Sequence, residues 1–236
     1  MKLIFIRHAE PDYSIDSLTP RGWEEANFLA DRVEKIPADA YYCSPLGRAK
    51  DTAKESMCRL GKEYTVLEWL REFPAQVIDQ YTGKRRNPWD FYPNDWTHED
   101  AYYGSETWYT TELMREGNVE AAFRNIADGL DGLLLENGYR REGRLYRVEK
   151  GNTKTLIFFC HMAMQMAAVA HLTGLPALPI WQGFFVAPTG ITMLETEERQ
   201  EGYASFRCRM MGDISHLYAK NEAISRSGFF NEIFEK

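Results

Sequence analysis

Two short apolar runs, each leading into a histidine, constrain this chain more than any other feature. Lys2–Ile6 and Thr153–Phe159 are rich in β-branched and aromatic residues, too short for helices, and read as buried strands. Arg7-His8 follows the first run, and Cys160-His161 follows the second. In an open parallel sheet, ligands bind beyond the carboxyl ends of the strands, so both histidines are expected at one edge. Arg7 flanks the first, and Arg48 falls one turn into a predicted helix that follows another strand.

The intervening pattern supports a parallel sheet. Thr19 is a predicted N-cap with Pro20 at the first helical position, and Ala26, Leu29, Ala30 and Val33 form an apolar stripe to about Ile36. Asp39–Cys43 reads as a strand, Ser44 as the cap of a helix reaching about Leu60, and Tyr64–Leu67 as a third strand. Strands alternating with helices at this spacing make βαβ units. From Phe73 to Tyr109 the period is lost. Pro74 punctuates a segment with Trp89, Trp96, Trp108 and many tyrosines, too aromatic for a disordered linker, and it reads as an insertion folding over the sheet. A long helical pattern spans Thr107–Glu136, and Gly138–Gly151 reads as an exposed loop or hairpin. His161 opens an apolar helix over Met164–Leu172, and Phe184–Ala187 and Gly190–Glu195 are predicted to pair as strands.

Composition narrows the function. The net charge of −7 gives no general grip on nucleic acid, which requires a basic face, though it leaves room for a local basic pocket. No apolar stretch approaches the ~20 residues a bilayer requires, and the start MKLIFIRHAE lacks the long apolar region of a secretory signal. Cys43, Cys58, Cys160 and Cys208 show no zinc-type spacing and read as reduced thiols, so a cytoplasmic location is expected. Nothing in the sequence reports the oligomeric state.

Each candidate has an ordinary alternative. A single histidine at a strand end is most often a hydrogen-bonded structural residue, and a single arginine in a first helical turn is most often solvated. His8, His161, Arg7 and Arg48 at equivalent positions make coincidence the weaker account. A cysteine phosphatase needs Cys-x5-Arg, whereas Cys43 and Arg48 are one residue short of it and Pro45 removes an amide donor. His8, His98, His161, His171 and His216 form no HxH or HExxH pattern for a metal. His171, in an apolar helix, reads as structural.

Taken in order, the motifs resemble the histidine phosphatase superfamily, the phosphoglycerate mutase-like proteins. Arg7-His8-Ala9-Glu10 off a strand resembles its Arg-His-Gly signature. Leu18-Thr19-Pro20-Arg21-Gly22 with Ala26 is similar to its Leu-Thr-x-x-Gly helix start. Ser44-Pro45-Leu46-Gly47-Arg48-Ala49 with Thr52-Ala53 resembles its Ser-Pro-Leu-x-Arg-Ala block, and Leu70-Arg71-Glu72 its Leu-x-Glu block. His161 stands where the second family histidine does.

The resemblance implies an α/β fold: one domain over residues 1–236, three-layer αβα with a mostly parallel central sheet. Residues 73–109 would be an inserted cap segment near the site. It implies that His8 attacks phosphorus, that Arg7, Arg48 and His161 clamp the phosphoryl oxygens, and that Glu72 donates and then recovers a proton, with no metal or other cofactor. The ordinary reading of Glu72 is a surface carboxylate paired with Arg71 or a lysine. Ser14 falls where many relatives have a polar phosphate contact. Met162 replaces a glycine common after the second histidine, which bears on the pocket's width. A small phosphorylated substrate is the expected partner. The Arg-His-Gly-x-Ser-x-Trp-Asn form of the glycolytic mutases is absent, which favours a phosphatase over a phosphoryl mutase. A non-catalytic phospho-ligand-binding member is the third reading. Lys84, Arg85 and Arg86 with Trp89, Tyr92 and Trp96 could grip a charged or planar part of a substrate, or form the insertion's own core.

Overall fold

The structure, a computed structural model, describes residues 1–230. Its centre is the strand β1 (Lys2–Arg7), whose side chains alternate between two apolar layers. Leu3 and Phe5 enter one core with the helices α3 (Val119–Glu136) and α4 (Met162–Thr173). Ile4 and Ile6 enter another with α1 (Pro20–Val33) and α2 (Gly47–Leu60). A strand buried on both faces reads as a continuous apolar run, and the result is the expected three-layer arrangement.

Seven further strands complete the sheet. They are β2 (Ala40–Cys43), β3 (Thr65–Val66), β4 (Tyr139–Glu142), β5 (Leu145–Val148), β6 (Thr155–Cys160), β7 (Ile191–Gln200) and β8 (Tyr203–Asp213). The spatial order is β3-β2-β6-β1-β7-β8-β5-β4. The first four run parallel, and the rest extend the sheet as antiparallel pairs from β1 outward. The expected parallel core is therefore present, joined to an antiparallel half.

Several boundaries differ from expectation for local physical reasons. Thr19 caps α1 as expected, accepting the Gly22 amide at 3.0 Å. Ser44 does not cap α2. Its hydroxyl accepts the Leu46 amide and also meets His161, so the helix starts at Gly47. The long helical pattern over Thr107–Glu136 is broken at Gly117-Asn118. Asn118 takes a left-handed φ of 53°, and a side chain on Gly117 would strike the Gln76 carbonyl at 2.7 Å. Phe184–Ala187 is not a strand. The partners of β7 are β1 and β8, and residues 184–187 instead form a connection that carries Val186 to Arg7. The Gly138–Gly151 segment forms the β4–β5 hairpin at the sheet edge. Among the described residues no helix is long and apolar enough to cross a membrane.

In the insertion, Arg86 lies between Asp79 and Asp95 at 2.9 and 2.7 Å and stacks on Phe91 and Tyr92, so it serves the segment's own packing. Lys84 and Arg85 are exposed. Phe73 and Trp89 pack on Trp181 from the body of the fold.

One buried acid gives the fold a distinctive pH response. Glu25, wholly buried on α1, accepts the Glu10 amide at 2.8 Å. Burial pushes its carboxyl up to about 7, against the pull of the Glu10 amide and Arg21. The unfolded chain ionises this group near 4.5, so the folded state loses stability as pH rises from there to about 7 and the loss is constant above. Glu25→Gln should therefore stabilise the protein at pH 8 by roughly 1–3 kcal/mol, with the difference vanishing towards pH 4.5. Urea unfolding across that range tests it, and a pH-independent difference would contradict the assignment.

Candidate active site

The register of the parallel strands builds the site. Arg7 pairs with Cys160 and Phe159 with Cys43, so β1, β6 and β2 end side by side. The next residues are held by the sheet's last hydrogen bonds: the His8 amide to Cys160 O at 2.9 Å, and the Ser44 amide to Phe159 O at 2.9 Å. His8, His161 and Ser44 thus emerge in one row. The two imidazole centroids lie 5.2 Å apart.

A hydrogen bond settles the His8 tautomer. His8 Nδ1 is 2.8 Å from the Ala9 carbonyl, which can only accept. Nδ1 therefore carries the proton and Nε2 keeps its lone pair. Burial, and then Arg7, hold the His8 pKa well below the usual histidine range. The His161 pKa is likewise well below it, through burial and then His8, Arg48 and Arg7. His161 Nε2 lies 2.7 Å from Ser44 Oγ. That hydroxyl also accepts the Leu46 amide and can give its own proton to Nε2, the arrangement that leaves the His161 proton on Nδ1.

The donors around His8 are only partly satisfied. Arg7 is buried, giving Nη1 to Val186 O at 2.6 Å and Nη2 to Ser227 O at 3.0 Å. Arg48 gives Nη1 to Asp16 Oδ1 at 2.5 Å. Arg7 Nε, Arg48 Nε and His161 Nδ1 are buried with no protein partner. Orphaned buried donors cost on the order of 1–3 kcal/mol each, a cost that an oxyanion bound among them relieves. Two arginines and an imidazole are suited to a phosphoryl group.

Glu72 does not pair with Arg71, which is held by Glu68. One of its oxygens, Oε1, accepts the amides of Phe73 at 2.9 Å and Met164 at 3.0 Å. Met164 is the third residue of α4, a helix with no side-chain cap of its own, so Glu72 fills that role. Burial raises its pKa above the usual carboxylate range, although both amides, Arg7 and Arg48 pull the other way. A protonated Glu72 would carry its hydrogen on Oε2.

Arg7, Arg48, Glu72 and Met162 bound a cavity of about 380 Å³, with Phe73, Asn87, Trp89 and Asp90 from the insertion on its wall. His8 and His161 are buried and do not line this cavity themselves; their chain neighbours Arg7 and Met162 do. Met162 Sδ is 3.9 Å from Arg7 Nη1, so the side chain replacing glycine forms part of the floor. Ser14 is not brought to the cavity. Its amide and hydroxyl are both bound to Asp12, and its neighbour Tyr13 lines the wall instead, stacked on Arg48. A larger cleft of about 470 Å³ between Pro74–Ile78 and Glu116–Asn118 is lined by none of Arg7, Arg48 and Glu72, so volume alone does not mark the site.

Three supporting groups were not foreseen from sequence. Asp16, at a left-handed φ of 48°, accepts the Gly47 amide at 2.7 Å as well as Arg48, capping α2 and aiming its arginine together. A Cβ at Gly47 would lie 2.1 Å from the Asp16 carbonyl, so only glycine permits this approach. Thr189, buried at a φ of 60°, donates its amide to the Arg7 and His8 carbonyls and receives His216 Nε2 on its hydroxyl. A β-branched residue in that conformation is a strained one, held here by the backbone of the nucleophile candidate. The third group is the tail: Ser225 donates to Glu10 at 2.5 Å, and Ser227 meets Arg7. Of the three, only the first left a trace in the sequence, through its partner Gly47 at the variable position of the Ser-Pro-Leu-x-Arg block.

The Asp16 bridge makes a prediction. Asp16→Ala should weaken inorganic phosphate binding about tenfold or more and lower the melting temperature, because Arg48 loses its brace and α2 its cap. Asp16→Asn should recover most of the melting temperature but less of the affinity. Calorimetry with phosphate reads both variants, and equal affinity in wild type and Asp16→Ala would remove Asp16 from the site.

Comparison with known proteins places this geometry. A curated relative from Hydrogenobacter thermophilus, named provisionally phosphoserine phosphatase 2, is 24% identical over 205 residues, covering 83% of this chain and 90% of that one. The phosphoserine phosphatase of Entamoeba histolytica, solved as a mutant with phosphoserine, superposes with a TM-score of 0.60 at 22% identity, over 92% of this chain and 98% of that one. The α-ribazole phosphatase of Shigella flexneri gives a TM-score of 0.57 at 20% identity, over 90% and 96%. These structural likenesses establish a shared fold. The sequence model of the histidine phosphatase superfamily (branch 1) matches residues 3–128, a stretch that carries His8, Arg48 and Glu72. That match spans more than half of the chain, which therefore belongs to the histidine phosphatase superfamily.

Proposed function

We propose that this histidine phosphatase hydrolyses small phosphomonoesters without an obligatory metal, through a phosphohistidine on His8. The observation that carries the reading is the bond from His8 Nδ1 to the Ala9 carbonyl, which leaves a buried, neutral imidazole with its Nε2 lone pair unprotonated. Nε2 forms the N–P bond as the ester P–O bond breaks, and Glu72 gives its proton to the departing oxygen. Glu72, now a carboxylate, takes a proton from water. The hydroxide attacks phosphorus, the N–P bond breaks, and its electron pair returns to Nε2. Arg7, Arg48 and His161 Nδ1 hold the three equatorial oxygens, supplying the positive charge that phosphoryl transfer requires. By their names, the phosphoserine and α-ribazole phosphatases similar in fold act on small phosphorylated compounds, in keeping with this class of substrate.

The first test is phosphate release from an aryl phosphate with chelator present. Release that continues in chelator and is lost in His8→Ala supports the mechanism. Release that persists in His8→Ala refutes the nucleophile assignment.

The proton donor has its own signature. Glu72→Gln should reduce turnover of alkyl phosphates by about 10²–10⁴-fold and that of a dinitrophenyl phosphate far less, since a good leaving group needs no proton. The pH profile follows from the two shifts: activity falls as pH drops through the depressed His8 pKa and again as pH rises through the elevated Glu72 pKa. A Glu72→Gln defect independent of the leaving group would rule out the acid role.

A further inference from the structure

The wall of the cavity carries one acid that the proposed chemistry does not use. Asp90 is half-buried, burial raises its carboxyl above the usual range, and it has no ion-pair partner among the described residues. Arg86, the adjacent cation, is taken by Asp79 and Asp95. The Asp90 amide donates to the Asn87 carbonyl at 3.1 Å, which closes a turn, and the carboxylate keeps acceptor capacity on its oxygens. A desolvated carboxylate without a counter-charge is costly, and here it borders an open cavity.

Much of the remaining wall is aromatic. Trp89 and Phe73 come from the insertion, and Tyr13, Phe229 and Phe230 line the same cavity, with Met162 and Gly228 besides. Tyr13, Phe229 and Phe230 are 65%, 49% and 63% exposed, an unusual exposure for large aromatic side chains that line one cavity. Aromatic faces together with one carboxylate are suited to an ammonium group, which gains both from the ring quadrupoles and from the charge. The only arginines on the wall are Arg7 and Arg48, both beside His8. Arg226, stacked over Phe229, lies outside the wall. Among the described residues, then, the cavity lining itself holds no third cation for a second carboxylate or phosphate on the substrate.

From this we infer that the preferred substrate is the phosphomonoester of an amino alcohol, its ammonium group held by Asp90 against Trp89, and that esters carrying a second anion are disfavoured. The inference rests on the hydrolytic reading above, whose substrate class it names. It also sets the site apart from a phosphoglycerate mutase, whose substrates carry a carboxylate.

The test compares phosphoethanolamine and phosphocholine with 3-phosphoglycerate and glucose 6-phosphate. Turnover is measured on the wild type, and binding by calorimetry on His8→Ala, which reads affinity without chemistry. The amine esters should exceed 3-phosphoglycerate about tenfold or more in both readouts, since a charge pair and an ammonium–aromatic contact favour one and repel the other. Asp90→Asn should lower that ratio severalfold, and Asp90→Lys should invert it. Equal affinity for 3-phosphoglycerate, a preference for glucose 6-phosphate, or a ratio unchanged in Asp90→Asn would each overturn the inference. Absence of turnover with the binding preference intact would instead count against hydrolysis and leave the Asp90 assignment standing.

Discussion

The pairing of β1 with β6 in parallel register is the constraint on which everything else depends. It is a backbone interaction, repeated from Lys2 opposite Thr155 to Arg7 opposite Cys160. Because both strands run the same way and end together, the residues that follow them must share one edge. A one-residue slip would exchange the Leu3–Phe5 and Ile4–Ile6 faces between two different helix layers, a misfit in packed cores that costs about 1–3 kcal/mol for each large side chain. The cores on either side thus lock the register, and the register sets the 5.2 Å separation of the two imidazoles. The precision of the site is inherited from the packing of apolar residues that never touch a ligand.

That same packing sets the electrostatics. Burial at the strand ends disfavours charge on His8 and His161 and disfavours ionisation of Glu72, so one physical cause lowers two pKa values and raises a third. Arg7 and Arg48 reinforce the effect on the histidines and oppose it on the glutamate. The fold supports these cations through polar atoms on neighbouring segments: Val186 and Ser227 carbonyls for Arg7, and Asp16 for Arg48. Each brace uses some of the donors and leaves an Nε unmet. The cluster is therefore held in place and unsatisfied at once, which preorganises it for an anion.

How much of this could be read from sequence follows from the range of the forces involved. The strands before His8 and His161, the Thr19 cap and the parallel core are recorded in local pattern, because burial on both faces demands uninterrupted apolar runs and capping demands a hydroxyl. The antiparallel half was harder. β8 alternates apolar and polar residues from Ala204 to Met210, but β7 carries no apolar residue after Leu194, and their pairing is decided by contact with β1 and by a turn at Gly202, not by composition. Ser44 looked like a cap because Ser-Pro usually is one, but the tertiary demand of His161 for a hydroxyl overrode the local preference. Asp16, Thr189 and the 225–230 tail were illegible for one shared reason. Their roles exist only through partners more than thirty residues away or through a left-handed backbone that neither an aspartate nor a threonine announces.

The same asymmetry explains why the site's chemistry and its selectivity differ in how openly the sequence displays them. The phosphoryl end is built on strand ends and first helical turns, where a one-residue change displaces an atom by several ångströms, so its residues fall at fixed spacings that sequence can carry. The proposed leaving-group end is built from the insertion, whose ladder is the two-residue pairing of Val77–Ile78 with Arg85–Arg86, and from the tail. Trp89 reaches the cavity only because Phe73 and Trp181 give it an aromatic seat, and Phe229 only because Phe185 does. Such contacts tolerate many sequences, which leaves the walls free to vary while the register of β1 and β6 holds the chemistry fixed.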